Sequence, residues 1–334
     1  MLDRSGPMGT LAVAVSAIGF GLTPFFATRT FDAGIDPGSA SFVRVVLLLI
    51  VLLPVAPQLR GWRREALIVG AGGAVSMLGF AGFFIALAHA PVAPVTVVYY
   101  SYPIVVVVFS AALHHRRIHV WEVALAGVLL LGVIVAVGPI GLTGSMLIAL
   151  APACAAPVGW GIYLLVLSGP TAAMPTLPKM LAGSIGGVAA LSPLVLWRTG
   201  THVMPLNGAA IGAISVLTLC TLAIPAVLVT WGAPRAGDRT TAMVGSIEFG
   251  IAIGVGWLLM GARLEFGQLV GICLVLGAAL AAALRQFRVE RPQISGVTST
   301  ANRLVPPLRF PVRTRRVAQQ NESLSEASCS PALQ

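Results

Sequence analysis

The chain has 334 residues, of which 57% are hydrophobic and only 10% are charged. Soluble proteins carry about 25% charged residues, so this composition excludes an ordinary soluble domain and indicates a membrane protein. A formal net charge of +10 would be compatible with nucleic-acid binding. The basic residues are placed in a way that indicates membrane topology instead, and we expect no nucleic-acid partner.

Ten apolar segments, each long enough to cross a bilayer, follow one another in two groups of five. A helix needs about 20 apolar residues to cross roughly 30 Å of hydrocarbon, where every backbone polar group must be satisfied internally. The sequence therefore predicts an all-α membrane protein with ten transmembrane helices. The first five predicted spans are residues 8–28, 40–57, 67–89, 93–113 and 119–138. The second five are residues 143–167, 179–197, 208–230, 240–260 and 266–284.

Positive charges alternate between the gaps that separate these spans. One set of alternate gaps holds nine lysine and arginine residues, and the other set holds three. The first set consists of Arg4, Arg60, Arg63, Arg64, Arg116, Arg117, Lys179, Arg235 and Arg239. Because cytoplasmic loops are enriched in Lys and Arg, we expect this set, and with it both chain termini, in the cytoplasm. No cleaved signal peptide is expected, since a full-length span follows shortly after Met1.

The two groups of spans predict an inverted repeat. With five spans in each half, the second half must enter the membrane in the opposite direction, as in many secondary transporters. Between residues 96 and 132, a shift of 145 positions pairs six identical residues, among them Ser101 with Ser246. We predict a first five-helix domain at 1–138 and a second at 139–284. Residues 285–334 carry eight arginines among prolines and small polar residues, a composition that predicts a disordered cytoplasmic tail.

Several short motifs occur in a characteristic order along the two halves. They are Phe20–Phe26, Ser41–Arg44, Ala86–Pro91 leading to Tyr102-Pro103, Gly159–Tyr163, and the stretch from Arg235 through Ser246-Ile247-Glu248 to Gly277. In this order the chain resembles the drug/metabolite transporter superfamily, specifically its EamA-like ten-helix branch. The resemblance covers residues 8–284. It implies two EamA-like repeats and efflux of amino acids or other small metabolites.

Glu248 is the most informative single residue, because it is the only acidic residue well inside a predicted span. A charged side chain at the bilayer centre costs at least about 2.5 kcal/mol on insertion scales. We therefore expect Glu248 to face the bundle interior or a water-filled cavity. Its carboxyl group is a candidate to bind a substrate ammonium group or to carry a coupling proton. The alternative is a structural glutamate that fixes helix packing.

Other candidate binding residues lie in the second and fourth spans. Arg44 could bind a substrate carboxylate, and the alternative is that it snorkels or caps a loop carbonyl. Pro103 is the counterpart of Glu248 under the repeat, and a proline frees a backbone carbonyl. Tyr99 and Tyr102 share one helical face and are predicted to line a cavity. The alternative for these tyrosines is an aromatic belt at the membrane interface.

In the sixth span, Trp160 and Tyr163 show the same spacing as the two tyrosines and are candidates for stacking on a substrate. No enzyme motif and no phosphate-binding loop is present, and the four cysteines lack metal-site spacing. We therefore expect no enzymatic activity, no cofactor and no metal site.

The sequence predicts secondary active transport of a small organic metabolite such as an amino acid, as an exporter that works by alternating access. Protons are the candidate coupling ion, with Glu248 as the coupling charge. One alternative is a facilitator or efflux protein for another small solute, such as an organic cation or drug. A remote alternative is a membrane scaffold that acts through the basic tail. We expect a monomer or homodimer embedded in the lipid bilayer of the inner cell membrane.

Overall fold

The computed structural model of the chain describes residues 6–87, 89–90, 92–113, 118–138, 144–200, 203, 205, 207–261, 263 and 265–290. These residues form helices and short connections, with no β-strand among them. The fold is all-α, and this prediction is confirmed. Most of the predicted basic tail, residues 291–334, lies outside the described ranges.

Fifteen α-helices follow one another along the described chain. The first seven are α1 (Gly6–Gly21), α2 (Thr23–Asp32), α3 (Pro37–Leu52), α4 (Arg63–Leu87), α5 (Val92–Tyr99), α6 (Tyr102–Leu113) and α7 (Val120–Val137). The next eight are α8 (Gly144–Leu150), α9 (Ala155–Ser168), α10 (Thr176–Thr199), α11 (Gly208–Thr218), α12 (Ile224–Ala236), α13 (Asp238–Gly245), α14 (Ile247–Met260) and α15 (Phe266–Glu290). Leu53–Trp62 and Ala151–Cys154 form 3₁₀ helices, and Leu219–Ala223 forms a π-helix.

Side-chain caps mark the start of two helices. The Asp36 carboxylate accepts hydrogen bonds from the N–H groups of Gly38 and Ser39, at 3.0 and 3.2 Å, at the start of α3. The Asn207 side chain accepts one from the N–H of Ala210 at 2.8 Å, at the start of α11. The first N–H groups of a helix have no partner inside it, so such caps fix where the helix begins.

Nine helical runs in the described ranges are long and apolar enough to cross a membrane. The chain is a multi-pass membrane protein. The run from Gly38 to Phe83 has 46 residues, about twice what one crossing needs at 1.5 Å per residue. Its 3₁₀ segment contains Pro54 and Pro57 and separates α3 from α4. The count of ten spans stays a prediction.

Close helix packing joins the first half of the chain to the second. α1 packs along α12, and α4 packs along both α9 and α10. A side chain at Gly73 would collide with the backbone of Gly183, and one at Gly186 with the backbone of Gly70. These glycines let α4 and α10 approach at backbone distance, which is how helices gain contact energy in lipid. Under the shift of 145 positions the pairs α1–α12 and α4–α9 exchange, which is what an inverted repeat requires.

Several predicted spans contain a break in their α-helix, among them the fourth and the ninth, which we call the two interrupted helices. Tyr100 and Ser101 separate α5 from α6, and Ser246 separates α13 from α14. Ser101 and Ser246 are the pair that the repeat matches. Interrupted helices leave backbone groups without a partner in the helix, and in secondary transporters they typically line the substrate site.

The basic end of the bundle, where Lys179, Arg235 and Arg239 lie, contains buried charge. Arg239 at the start of α13 forms an ion pair with Glu122 at the start of α7. Its Nε also donates to the Ser110 hydroxyl of α6 at 3.1 Å. Glu122 is only 5% exposed. This ion pair ties the second interrupted helix to two helices of the first half.

Candidate functional site

Glu248 lies in the first turn of α14, directly after the interruption at Ser246. The Tyr99 hydroxyl donates to the Glu248 carboxylate at 3.5 Å. Tyr99 ends α5, next to the interruption of the first half. The interruption of one half therefore faces the carboxyl group of the other.

A second contact joins the two interrupted helices. The Ser246 Oγ lies 3.1 Å from the Tyr102 hydroxyl oxygen and 3.1 Å from the Ala242 carbonyl oxygen. Tyr102 and Ser246 are 1% and 2% exposed, and buried polar groups need such partners. Pro103 is buried beside Tyr102 in the first turn of α6. Sequence analysis did not single out Ser246 as a site residue, although the repeat pairs it with Ser101.

A narrow cavity lies beside Glu248 and between the two halves. Its walls include Ser16, Phe20, Tyr102, Trp160, Thr241 and Glu248. Glu248 is the one charged side chain among its described lining residues. The cavity volume of about 10 Å³ leaves room for roughly one water molecule. An organic substrate is larger, so the helices must move apart before one can enter.

A cluster of aromatic rings lies next to the cavity. The Trp160 ring centroid lies 6.3 Å from that of Phe20 and 6.4 Å from that of Phe80. Phe80 and Phe83 lie 5.7 and 5.8 Å from Tyr99, again between ring centroids. Rings on α1, α4, α5 and α9 thus form one cluster, of which Phe20 and Trp160 line the cavity. The faces of such rings attract cations, most strongly where water is excluded.

Of the seven candidates from the sequence, three line the cavity, and Tyr99, Pro103, Tyr163 and Arg44 are not among its described lining residues. Tyr163 stands behind Trp160, with ring centroids 5.9 Å apart, and packs against Gly183 of α10. Arg44 donates to the carbonyl and hydroxyl oxygens of Thr221 at 3.1 and 2.8 Å. Thr221 belongs to the π-helix, whose wider turn leaves a carbonyl open to a partner from outside.

No group of three or more metal-ligating side chains comes together within the described ranges. The charged chemistry of the cavity is therefore that of one carboxyl group, with hydroxyl donors and aromatic faces around it.

Residues 7–138 match the sequence profile of the EamA-like transporter family. The family prediction made from the motifs is confirmed over these residues, which contain α1–α7 and the interruption at Tyr100 and Ser101. Glu248 lies beyond the matched residues. A comparison with curated proteins gives no match.

The chain is also similar to a chain of a solved crystal structure. The alignment covers 85% of this chain and 99% of that chain, with a TM-score of 0.69 and 22% sequence identity. At this identity the likeness shows a shared fold over most of the bundle, including the second half.

Proposed function

We propose that the protein is a secondary transporter that exports a small organic cation in exchange for protons, by alternating access. The observation that carries this proposal is the position of Glu248. It is the one charged side chain among the described residues that line a cavity between the two halves, and its neighbours there are aromatic rings and hydroxyl groups.

The chemistry of the cavity favours a cation over a zwitterion. A cation gains from the carboxylate and from the faces of the rings. An amino acid also brings a carboxylate of its own, and no basic side chain lines the described cavity, while Arg44 is bound to Thr221. An amino acid is the second candidate, because its ammonium group would bind the same carboxyl group.

One carboxyl group gives a simple coupling rule. Glu248 holds either a proton or the cation, and the two therefore compete. The halves act as inverted repeats that open the cavity to one side at a time, with the interruptions at Tyr100-Ser101 and Ser246 as the flexible points. Lys and Arg residues are enriched in the loops at one end of the bundle, and this supports an orientation with that end and both termini in the cytoplasm. A proton that enters from outside then displaces the cation outward.

Transport in proteoliposomes tests the proposal. The probe is labelled benzyltrimethylammonium, a permanently charged aromatic cation, driven by an imposed pH difference. We expect Glu248→Gln to lower the pH-driven flux about 100-fold or more, because the amide keeps the shape of the side chain and loses the exchangeable proton. The matched control is Glu265→Gln, which changes an exposed glutamate outside the cavity and should keep the flux.

The same assay with phenylalanine distinguishes the two candidate substrates. Flux of phenylalanine without flux of benzyltrimethylammonium would move the proposal to the amino acid. Normal pH-driven flux in Glu248→Gln would remove Glu248 from the mechanism.

A further inference from the structure

One hydroxyl group on the cavity wall has no hydrogen-bond partner among the described residues. Thr241 is 2% exposed, and its Oγ1 is buried and unpaired there. Other buried threonines of the bundle satisfy this group within their own helix. Thr10, Thr30, Thr218 and Thr221 each donate to the carbonyl oxygen four residues earlier, at 2.7–2.9 Å. An unpaired buried hydroxyl is costly, so the Thr241 hydroxyl indicates a ligand inside the cavity.

Thr241, Gly245 and Glu248 form one face of the second interrupted helix. Their spacing of four and then three residues places them on one side of a helix, and all three line the cavity. Ser246 keeps near-helical dihedral angles (φ −63°, ψ −9°), so this face continues across the interruption. Helical side chains lean toward the N-terminus, so the Glu248 side chain leans back over Gly245 toward Thr241.

Gly245 leaves the space between the two polar groups open. A Cβ atom at this position would lie 3.2 Å from the Tyr102 hydroxyl oxygen, which is a tight contact. The cavity of about 10 Å³ is about the size that one buried water molecule needs, and such a water needs two to four polar partners. The Glu248 carboxyl and the hydroxyl groups of Thr241 and Tyr102 supply them.

We propose that a water molecule bound between Thr241 and Glu248 relays the coupling proton, with Thr241 as its positioning residue. The relay rests on the proposed proton exchange at Glu248. In the release direction, the carboxyl O–H gives its proton to the water oxygen. The water passes one of its own protons to Thr241 Oγ1, and the hydroxyl releases its original proton to a solvent water molecule at the basic end when that end is open. Every step exchanges one O–H bond for another, so no other reactant is needed.

Among the titratable groups nearby, Glu248 is the one carboxyl group that lines the described cavity and can contact this water. The helices packed against α13 are α1, α6, α7, α9, α12 and α14. Their titratable or charged side chains are Tyr102, Glu122, Tyr163, Arg235 and Glu248, and α13 itself adds Asp238 and Arg239. α2, which packs against α14, adds Arg29 and Asp32, and α5 adds Tyr99, which donates to Glu248. Of these, only Tyr102 and Glu248 line the cavity, and Glu122 is paired with Arg239.

Time-resolved infrared spectroscopy of the purified protein after a pH jump tests the relay without any substrate. The Glu248 carboxyl band is assigned as the band that Glu248→Gln lacks. Thr241→Val removes the hydroxyl at nearly constant volume and should slow protonation of this band about tenfold or more, with the same end point. Thr241→Ser keeps a hydroxyl and should restore the rate. Gly245→Ala fills the space for water and should slow protonation as Thr241→Val does.

Equal rates in the wild type, Thr241→Val and Gly245→Ala would overturn the relay. A Glu248 band that ignores pH in the wild type would overturn it together with the proton coupling. Binding of benzyltrimethylammonium, followed by quenching of tryptophan fluorescence, separates these failures. If benzyltrimethylammonium still quenches the tryptophan fluorescence of the wild type, the proposed cation site stands even where the relay is overturned.

Discussion

The two interrupted helices share a backbone plan and differ in their chemistry. Residues 92–113 of the first contain no charged side chain, and three tyrosines lie at or next to its interruption. The second carries Asp238, Arg239 and Glu248. Under the shift of 145 positions, Pro103 stands where the second half has Glu248. Both spans therefore contain a break, and a charged side chain lies next to only the second.

Each charge of the second helix that lies in the bundle interior finds its partners in the first half. Arg239 pairs with Glu122 and Ser110, and Glu248 accepts from Tyr99. The site is therefore formed by residues from both halves of the chain. The second half contributes the cavity carboxyl group of Glu248, and the first half contributes the Tyr99 hydroxyl that donates to it.

Breaking the ion pair at the basic end is expected to have the largest effect on the free energy of unfolding. Glu122→Ala leaves the Arg239 guanidinium buried without its counter-ion, and breaking such a pair costs about 3–5 kcal/mol. The free energy of unfolding, measured by denaturant titration in detergent, should fall by this amount. Glu265→Ala, at an exposed glutamate, should change it by less than about 0.5 kcal/mol. Equal losses in the two variants would mean that the buried pair contributes nothing specific.

Ser101 and Ser246, which the shift of 145 positions pairs, allow the same comparison with a smaller expected change in the free energy of unfolding. Ser246→Ala removes a hydroxyl group that contacts Tyr102 across the halves, and should lower the free energy of unfolding by about 1 kcal/mol. Ser101 donates at 2.7 Å to the Val98 carbonyl of its own span, so Ser101→Ala should cost less. The same denaturant titration measures both. A larger loss at Ser101 would reverse the assignment of the contact between halves to Ser246.

Tyr99 is expected to give the smallest effect. Its hydroxyl lies 3.5 Å from the Glu248 carboxylate, which is long for an O–H donor. Tyr99→Phe keeps the ring and removes only this weak bond, so pH-driven flux of benzyltrimethylammonium should fall about two- to fivefold, equivalent to about 0.5–1 kcal/mol. A loss as large as that of Glu248→Gln would show that Tyr99 takes part in the coupling step itself.

The helical architecture is predictable from the sequence because hydrocarbon leaves few alternatives to a helix. The helix Val120–Val137 lies inside the predicted span 119–138. The position of Glu248 at an interior cavity was also predictable, because a carboxyl group deep in an apolar span is costly in contact with lipid. Tyr102 and Trp160 were predicted from the three-residue spacing of aromatic side chains on one helical face.

The polar contacts were not predictable in the same way. Arg239 and Glu122 are 117 positions apart, and nothing in either local sequence points to the other. The π-helix around Thr221, which gives Arg44 its partner, has no signature in the apolar residues that form it. Whether a hydroxyl such as that of Thr241 bonds within its own helix depends on its rotamer and on neighbouring helices. Sequence periodicity carries neither kind of information.

The single carboxyl group of the cavity has a consequence for membrane voltage. If one proton exchanges for one monovalent cation at Glu248, each cycle moves no net charge across the bilayer. One elementary charge crossing 100 mV corresponds to about 2.3 kcal/mol, and such a cycle neither gains nor loses this energy. Export of a monovalent cation would then depend on the pH difference alone and continue at the same rate in depolarised vesicles. A divalent cation at the same carboxyl group would leave one charge uncompensated, and its export would become voltage-dependent.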